Sequence, residues 1–275
     1  MQTSPSAATT ISRALPAVLL AFALAACHRK VEVGGPAPAA KPSRAVTRIS
    51  DGRDVIAAMH ERYEGKWYHT VTFRQKTTVG LASGRDLVQN WLEAAELPGR
   101  LRIDTDVPPK GNGTLFANDS VYSFSGGKLV HAAAGVNELL VLGFDVYAQP
   151  AITTERVLVR RGFDLNKLHE SAWQGRPAYV VGAAQGDTTS KQFWIDKERL
   201  VFVRMIEPSS RGRSDIRFNQ YVRSGNGWIA AEVEQLVDGK RRLLEQYSDI
   251  HSNVPLSDNL FEPRQWSSAS HWYQP

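Results

Sequence analysis

The side chains able to carry out chemistry are few and scattered. The seven histidines (His28, His60, His69, His131, His169, His251 and His271) include no i,i+4 pair, and H-E-x-x-H does not occur. No helix face therefore offers the two imidazoles of a zinc protease. G-x-S-x-G is absent too: Ser125 lacks the preceding glycine. His169-Glu170 is an isolated pair beside a strand and reads as solvated. "GNGTLF" (111–116) has half of a dinucleotide loop, without the third glycine or the following helix, and reads as a turn. Asp187 in "QGDTTS" and Asp196 in "WIDKE" stand at strand ends, where carboxylates bond their own backbone. Nothing here nominates a nucleophile, a paired acid or a metal set. The expectation is a protein that is not an enzyme, with no catalytic residue, no metal and no cofactor.

The single cysteine, Cys27, excludes an intrachain disulfide and a C-x-x-C site. Its surroundings give it another use. Residues 1–13 are polar and acid-free and end on Arg13; residues 14–26 are apolar, then come Cys27, His28, Arg29 and Lys30. The apolar stretch is shorter than the roughly 20 residues that span a bilayer. A charged start, a short apolar core and small residues at its end describe a secretory signal. Leu24-Ala25-Ala26-Cys27 resembles the lipobox of bacterial lipoproteins. That resemblance implies cleavage between Ala26 and Cys27 and lipid attachment at Cys27. Two or three acyl chains give stable anchoring, at about 0.8 kcal/mol per buried CH₂. Position +2 is His28 and not Asp, which in lipoproteins of the enteric type implies the outer membrane, on its periplasmic side; the alternative is the outer leaflet of the inner membrane. Residues 27–50 are rich in Pro, Ala, Gly and Lys without apolar periodicity, a tether reaching about 25 Å as a flexible coil.

Charge narrows the partners. The net charge is +5, or +4 without Arg13, and the longest basic run is Lys240-Arg241-Arg242. A nucleic-acid binder shows a basic stripe with interleaved aromatics, so no nucleic acid is expected.

The elements that must position any site follow from periodicity. In "DGRDVIAAMHERYE" (51–64) Val55, Ile56, Met59 and Tyr63 share a helical face, with Asp51 or Asp54 as the cap. "KWYHTVTFRQKT" (66–77) alternates, with Trp67, His69, Val71 and Phe73 on one face. Further strands are expected at 87–95, 100–104, 113–117, 120–124 and 128–132. Helical stretches follow at 135–147 and 153–161, broken at Gln149-Pro150. Strands resume at 164–173, 177–184, 190–196, 200–207, 215–223, 227–237 and 240–250, with turns at "QGRP", "DKER", "SGNG" and "VDGK". Sequential hairpins make an antiparallel meander, and so wide a sheet must curl. The fold class is mainly β (α+β): a strongly curved antiparallel sheet, an unclosed half-barrel of about eleven strands, with two or three helices in its concave face. The domain is expected over 51–265, with a tail at 266–275. Trp67, Val71, Phe73, Phe193 and Phe218, on strand faces among apolar neighbours, are the candidate lining of an apolar cavity; ordinary core is the competing reading. Trp266, Trp272 and Tyr273 of the polar tail are expected to pack back on the domain.

Four segments, in order, carry a likeness. "LPGRLRID" (97–104), "NDSVYSFSGGKLV" (118–130), "GRPAYVV" with "KQFWIDKERLVFVR" (175–181 and 191–204), and "YSDIHSNVPLSDNLFEP" (247–263) resemble successive strands and the closing tail of the LolA/LolB-like outer membrane lipoprotein-sorting group. The resemblance implies an unclosed barrel whose apolar concave surface, lidded by helices, holds acyl chains. The implied partner is a lipid or an acylated protein ligand, handled in the cell envelope at a membrane reached through lipidated Cys27. A non-catalytic scaffold or sensor binding a periplasmic protein partner is the alternative. The carrier's lid-locking arginine has no single match, so no specific ligand-binding residue is transferred.

Overall fold

A computed structural model describes residues 48–81 and 84–273 of the chain. Cys27, the cleavage point at Ala26, the signal segment and all but the end of the tether lie outside the described residues.

The chain opens on helix α1 (Gly52–Tyr63), whose N-cap is Asp51; its carboxylate accepts from the backbone N–H of Arg53 and Asp54. Val55, Ile56, Met59 and Tyr63 are all buried, as their spacing requires. Gly52 has no room for a side chain: a Cβ would stand 2.4 Å from Cγ1 of Val181.

Thirteen strands follow among the described residues, more than about eleven, because every alternating stretch forms one. The first run is β1 (Thr70–Gly80), β2 (Asp86–Glu96), β3 (Arg100–Asp104), β4 (Gly113–Ala117), β5 (Ser120–Ser125) and β6 (Lys128–Ala134). The second is β7 (Leu168–Trp173), β8 (Arg176–Val181), β9 (Gln192–Asp196), β10 (Val201–Ser209), β11 (Gly212–Ser224), β12 (Gly227–Val237) and β13 (Lys240–Ser252). Tight turns set the hairpins. Gln174-Gly175 between β7 and β8, and Asp238-Gly239 between β12 and β13, both have two positive φ angles (49° and 76°; 49° and 75°), the twist that suits antiparallel ribbons.

All thirteen strands form one sheet in the order β6-β5-β4-β3-β2-β1-β13-β12-β11-β10-β9-β8-β7. Each neighbour is adjacent in sequence except β1 and β13, which join the two meanders at the centre. The sheet is open, with β6 and β7 as its edges, and the pairing of β1 with β13 shifts register between Thr72 and Arg74, where Asp249 has φ 49°. Such bulges increase local twist and bend a strand.

The connection from β6 to β7 runs from one edge of the sheet to the other. It contains α2 (Glu138–Gly143), a 3-10 turn (Asp145–Tyr147) and α3 (Ala151–Arg160), with Pro150 as the N-cap of α3. The chain leaves at one edge and re-enters at the other, so these helices must cross a face of the sheet. They lie on the face that carries Phe218 and Phe193: Gly143 of α2 approaches the Phe218 ring, and Phe163 meets Phe193 edge-on at 5.4 Å.

The opposite face has its own cover. Ala94, Leu115, Ala117 and Phe124 form a second core with Leu260, Phe261 and Trp266 of the C-terminal segment. The Trp266 ring stacks on Phe124 at 4.2 Å, and the Arg102 guanidinium lies 3.8 Å from its centroid. His271 bonds Asp104 at 3.0 Å, and Asp104 also pairs with Arg102. The tail thus packs back on the sheet as expected.

One local expectation is corrected. Trp67 and His69 are not on a strand, because β1 begins at Thr70. The cause is the end of α1: the Tyr63 carbonyl accepts from the N–H of both Lys66 and Trp67, and Gly65 takes φ 67°. The helix therefore closes in a turn that carries Trp67.

Candidate functional site

The concave face meets its helical layer around a cluster of aromatic rings. Trp67 stacks on Tyr147 of the 3-10 turn at 3.8 Å, and Tyr63 packs edge-on against both, at 4.7 and 5.4 Å. The Tyr147 hydroxyl accepts from the Phe202 N–H of β10 at 3.1 Å, and the Tyr63 hydroxyl donates to the Arg199 carbonyl. These bonds fasten α1 and the crossing segment to the sheet. Beside the rings lies a cleft of about 150 Å³, lined by His60, Glu64, Trp67, His69, Tyr147 and Pro150 among others. Nδ1 of His60 and Nε1 of Trp67 are buried without a hydrogen-bond partner.

The five candidate lining residues are all buried. Trp67 lines the cleft. Phe218 meets Phe202 at 4.8 Å, Phe193 meets Phe163, and Phe73 stacks on Tyr247 at 4.4 Å. The structure therefore brings Trp67 to an opening and sets Phe193 and Phe218 within the layer between sheet and helices. Val71 and Phe73 stand near the start of β1, the strand at the centre of the sheet, and are buried.

The helical layer is held at its far end by charge. Glu138 at the start of α2 accepts from Arg161 at 2.7 Å and from Lys191 at 2.9 Å, and Lys191 also reaches Glu207 at 3.0 Å. Burial pushes the Glu138 carboxyl up, but the two cations prevail and hold it below its ordinary range. Asp145 behaves oppositely. Burial pushes it up to about 7 against one stabilising bond, from the Gly99 N–H at 2.9 Å.

The carboxylates weighed for chemistry serve structure. Asp187 accepts from the N–H groups of Thr189 and Ser190 and from both hydroxyls. Asp196 accepts from the N–H of Glu198 and Arg199 and pairs with Arg176. Glu170 pairs with Lys197, and His169 bonds the Ala183 carbonyl through Nδ1. Arg204, on the outer face, forms a bidentate bond to Asp215 and lies 4.6 and 4.9 Å from the rings of Trp173 and Trp194.

Sequence reasoning passed over two buried acids, Glu93 and Asp145, and the half-buried Glu245. Glu93 and Glu245 occupy inward positions of otherwise apolar alternation: Trp91-Glu93-Ala95 and Leu243-Glu245-Tyr247. An acid with apolar residues two places away on both sides was the available signal.

No helix among the described residues is long and apolar enough to cross a membrane. No protein-family model matches the chain, and no curated protein matches it. Solved structures do. A DUF1329 family protein from Desulfovibrio piger superposes with a TM-score of 0.52 at 14% identity, over 77% of this chain and 95% of that one. An outer membrane lipoprotein-sorting protein domain from Vibrio parahaemolyticus gives 0.53 at 11% identity, over 78% and 97%. A LolA superfamily protein from Nitrosomonas europaea gives 0.47 at 11% identity, over 74% and 96%. The chain shares its fold with the DUF1329 protein and with the outer membrane lipoprotein-sorting domain.

Proposed function

We propose that this protein is a non-catalytic envelope lipoprotein, anchored through Cys27 and facing the periplasm, that binds an acyl chain or another apolar ligand between its helical layer and the concave face. The observation that carries this reading is the edge-to-edge crossing of α2 and α3 over an apolar sheet face, with an aromatic-lined cleft where the layer meets α1. The fold shared with a lipoprotein-sorting domain supports it.

The cleft is small. Ligand pockets run roughly 300–1,000 Å³, so about 150 Å³ admits only the end of a chain. Binding a whole chain requires the helical layer to lift from the sheet. The polar groups that fasten the layer are few: the Tyr147 and Tyr63 hydroxyls, the Asp145 carboxyl on the Gly99 N–H and the Glu138 ion pairs. Each buried CH₂ of an entering chain contributes about 0.8 kcal/mol, enough over several carbons to offset a few such bonds.

Mass spectrometry of the full chain extracted from membranes tests this. Co-purifying lipid, and displacement of a bound apolar dye that strengthens with chain length, are the expected results. A protein carrying no lipid, whose dye binding is indifferent to alkyl length, would overturn it.

A further inference from the structure

Two acids on the concave wall have no cationic partner. Glu93 on β2 and Glu245 on β13 stand on either side of β1. The register sets Thr77 opposite both Gln89 and Glu245, Gln75 opposite Trp91 and Tyr247, and Phe73 opposite Glu93. Directly opposed residues share a face, so Gln75, Thr77, Trp91, Glu93, Glu245 and Tyr247 form one patch. The row runs on from Glu245 to Val233 and Phe218, which places the patch on the helix-covered face, beside the apolar layer.

Three internal bonds exist in it, one of them between the Gln75 side chain and the Glu245 carboxyl. Gln75 Nε2 donates to Thr77 Oγ1 at 2.8 Å, and the Tyr247 hydroxyl donates to Glu245 at 3.1 Å. Other polar groups in it are unsatisfied. Gln75 is 1% exposed and Trp91 7%, yet Gln75 Oε1 and Trp91 Nε1 have no partner. Glu93 is 6% exposed and makes no hydrogen bond or ion pair among the described residues. Burying such a group without a partner is costly. The contrast with other buried acids is plain: Asp104, Glu138, Asp196 and Asp215 each pair with arginine or lysine. Burial, and for Glu93 the nearby Glu245 charge, push both carboxyls up, Glu245 to about 7.

The chemistry missing here is positive charge and N–H donors, since the unpaired groups are acceptors apart from the Trp91 N–H. No set of three or more His, Cys, Asp or Glu suited to a metal occurs among the described residues. An ammonium supplies three donors and one charge, and the Trp91, Phe73 and Tyr247 rings suit both a cation and an alkyl stem. We propose that this patch binds the ammonium head of an alkyl amphiphile whose tail runs along the wall toward Val233 and Phe218. The site deepens the apolar-ligand reading above and rests on it.

The test uses the full chain in non-ionic detergent at low ionic strength, with a bound apolar dye displaced by decylammonium, decanol or decanoate. Decylammonium is expected to displace the dye at about tenfold lower concentration than decanol, the effect of one charge-assisted bond, and decanoate to be weakest. Glu93→Gln and Glu245→Gln should each shrink that preference and leave decanol unchanged. Equal potency of decylammonium and decanol in the wild type overturns the proposal without any variant, as does a preference that survives both substitutions, while the apolar-ligand reading stands. If none of the three displaces the dye, that reading falls and this site with it.

Discussion

Asp145 shows what one buried carboxyl does to the whole stability curve. It sits on the turn between α2 and α3, and its single bond from the Gly99 N–H ties the helical layer to the β2–β3 turn. Burial raises its pKa to about 7, against about 3.9 for an unfolded aspartate. Between these values the folded chain holds a proton that the unfolded chain has released. Stability from this group is therefore fully present below about pH 4 and is lost as pH rises to 7, by up to about 1.4 kcal/mol per unit. Glu245 acts with the same sign. Asp145→Asn keeps an oxygen for Gly99 and removes the charge. Its urea midpoint should exceed that of the wild type at pH 8, with a smaller difference at pH 5. Equal gains at both values would show that Asp145 does not titrate in this range. Asp215 is the counterexample: it too is buried, but the Arg204 and Arg217 guanidiniums overcome burial and hold its carboxyl below the usual range.

At the scale of elements, the C-terminal segment is a structural cover and not a trailing end. Leu260, Phe261 and Trp266 are each no more than 2% exposed, and the Leu260 carbonyl accepts from buried Arg102. Burial of such a side chain contributes about 2–3 kcal/mol. A chain ending at Pro255 loses all three, on the order of 6–9 kcal/mol, against a typical total of about 5–15. It should be largely unfolded, or should expose Leu115 and Phe124 and bind a hydrophobic dye. Trp266→Ala alone should cost about 3–5 kcal/mol in urea unfolding. A truncated chain with the melting temperature of the full one would show that the second core adds nothing. The strands were legible in this region because β3, β4 and β5 alternate and carry turn residues between them. That the tail packs back was expected from its aromatics, but which side of these strands it covers was not legible, because its 3-10 turns have no period to read.

For the whole molecule, the topology decides where a ligand can lie. The connection runs from one edge to the other and packs against Phe218 of β11 and Phe193 of β9, so the proposed ligand would lie over these strands, on the face they share with β1 and β13. In the proposed function the position of the protein in the cell rests instead on Cys27, which the lipobox likeness would make the first residue of the mature chain. Cys27→Ser should move the protein from the membrane to the soluble fraction and leave the melting temperature of the folded domain unchanged. Wild-type-like fractionation with membranes would require a different anchor.

The sequence by itself determined the local structure. Asp51 capping α1, the break at Pro150, the thirteen alternating stretches and the turns at Gln174-Gly175 and Asp238-Gly239 depend on neighbours a few residues away. The order of those strands also followed, because hairpins pair consecutive strands. Only the tertiary structure decided that β1 pairs with β13 across the whole chain, which face the helices cover, and that Trp67 ends a helix and stands at a cleft. It alone set Glu93, Gln75 and Glu245 side by side. These contacts join residues far apart in the chain; alternation tells which side chains share a face of one strand, but not which strand lies beside it.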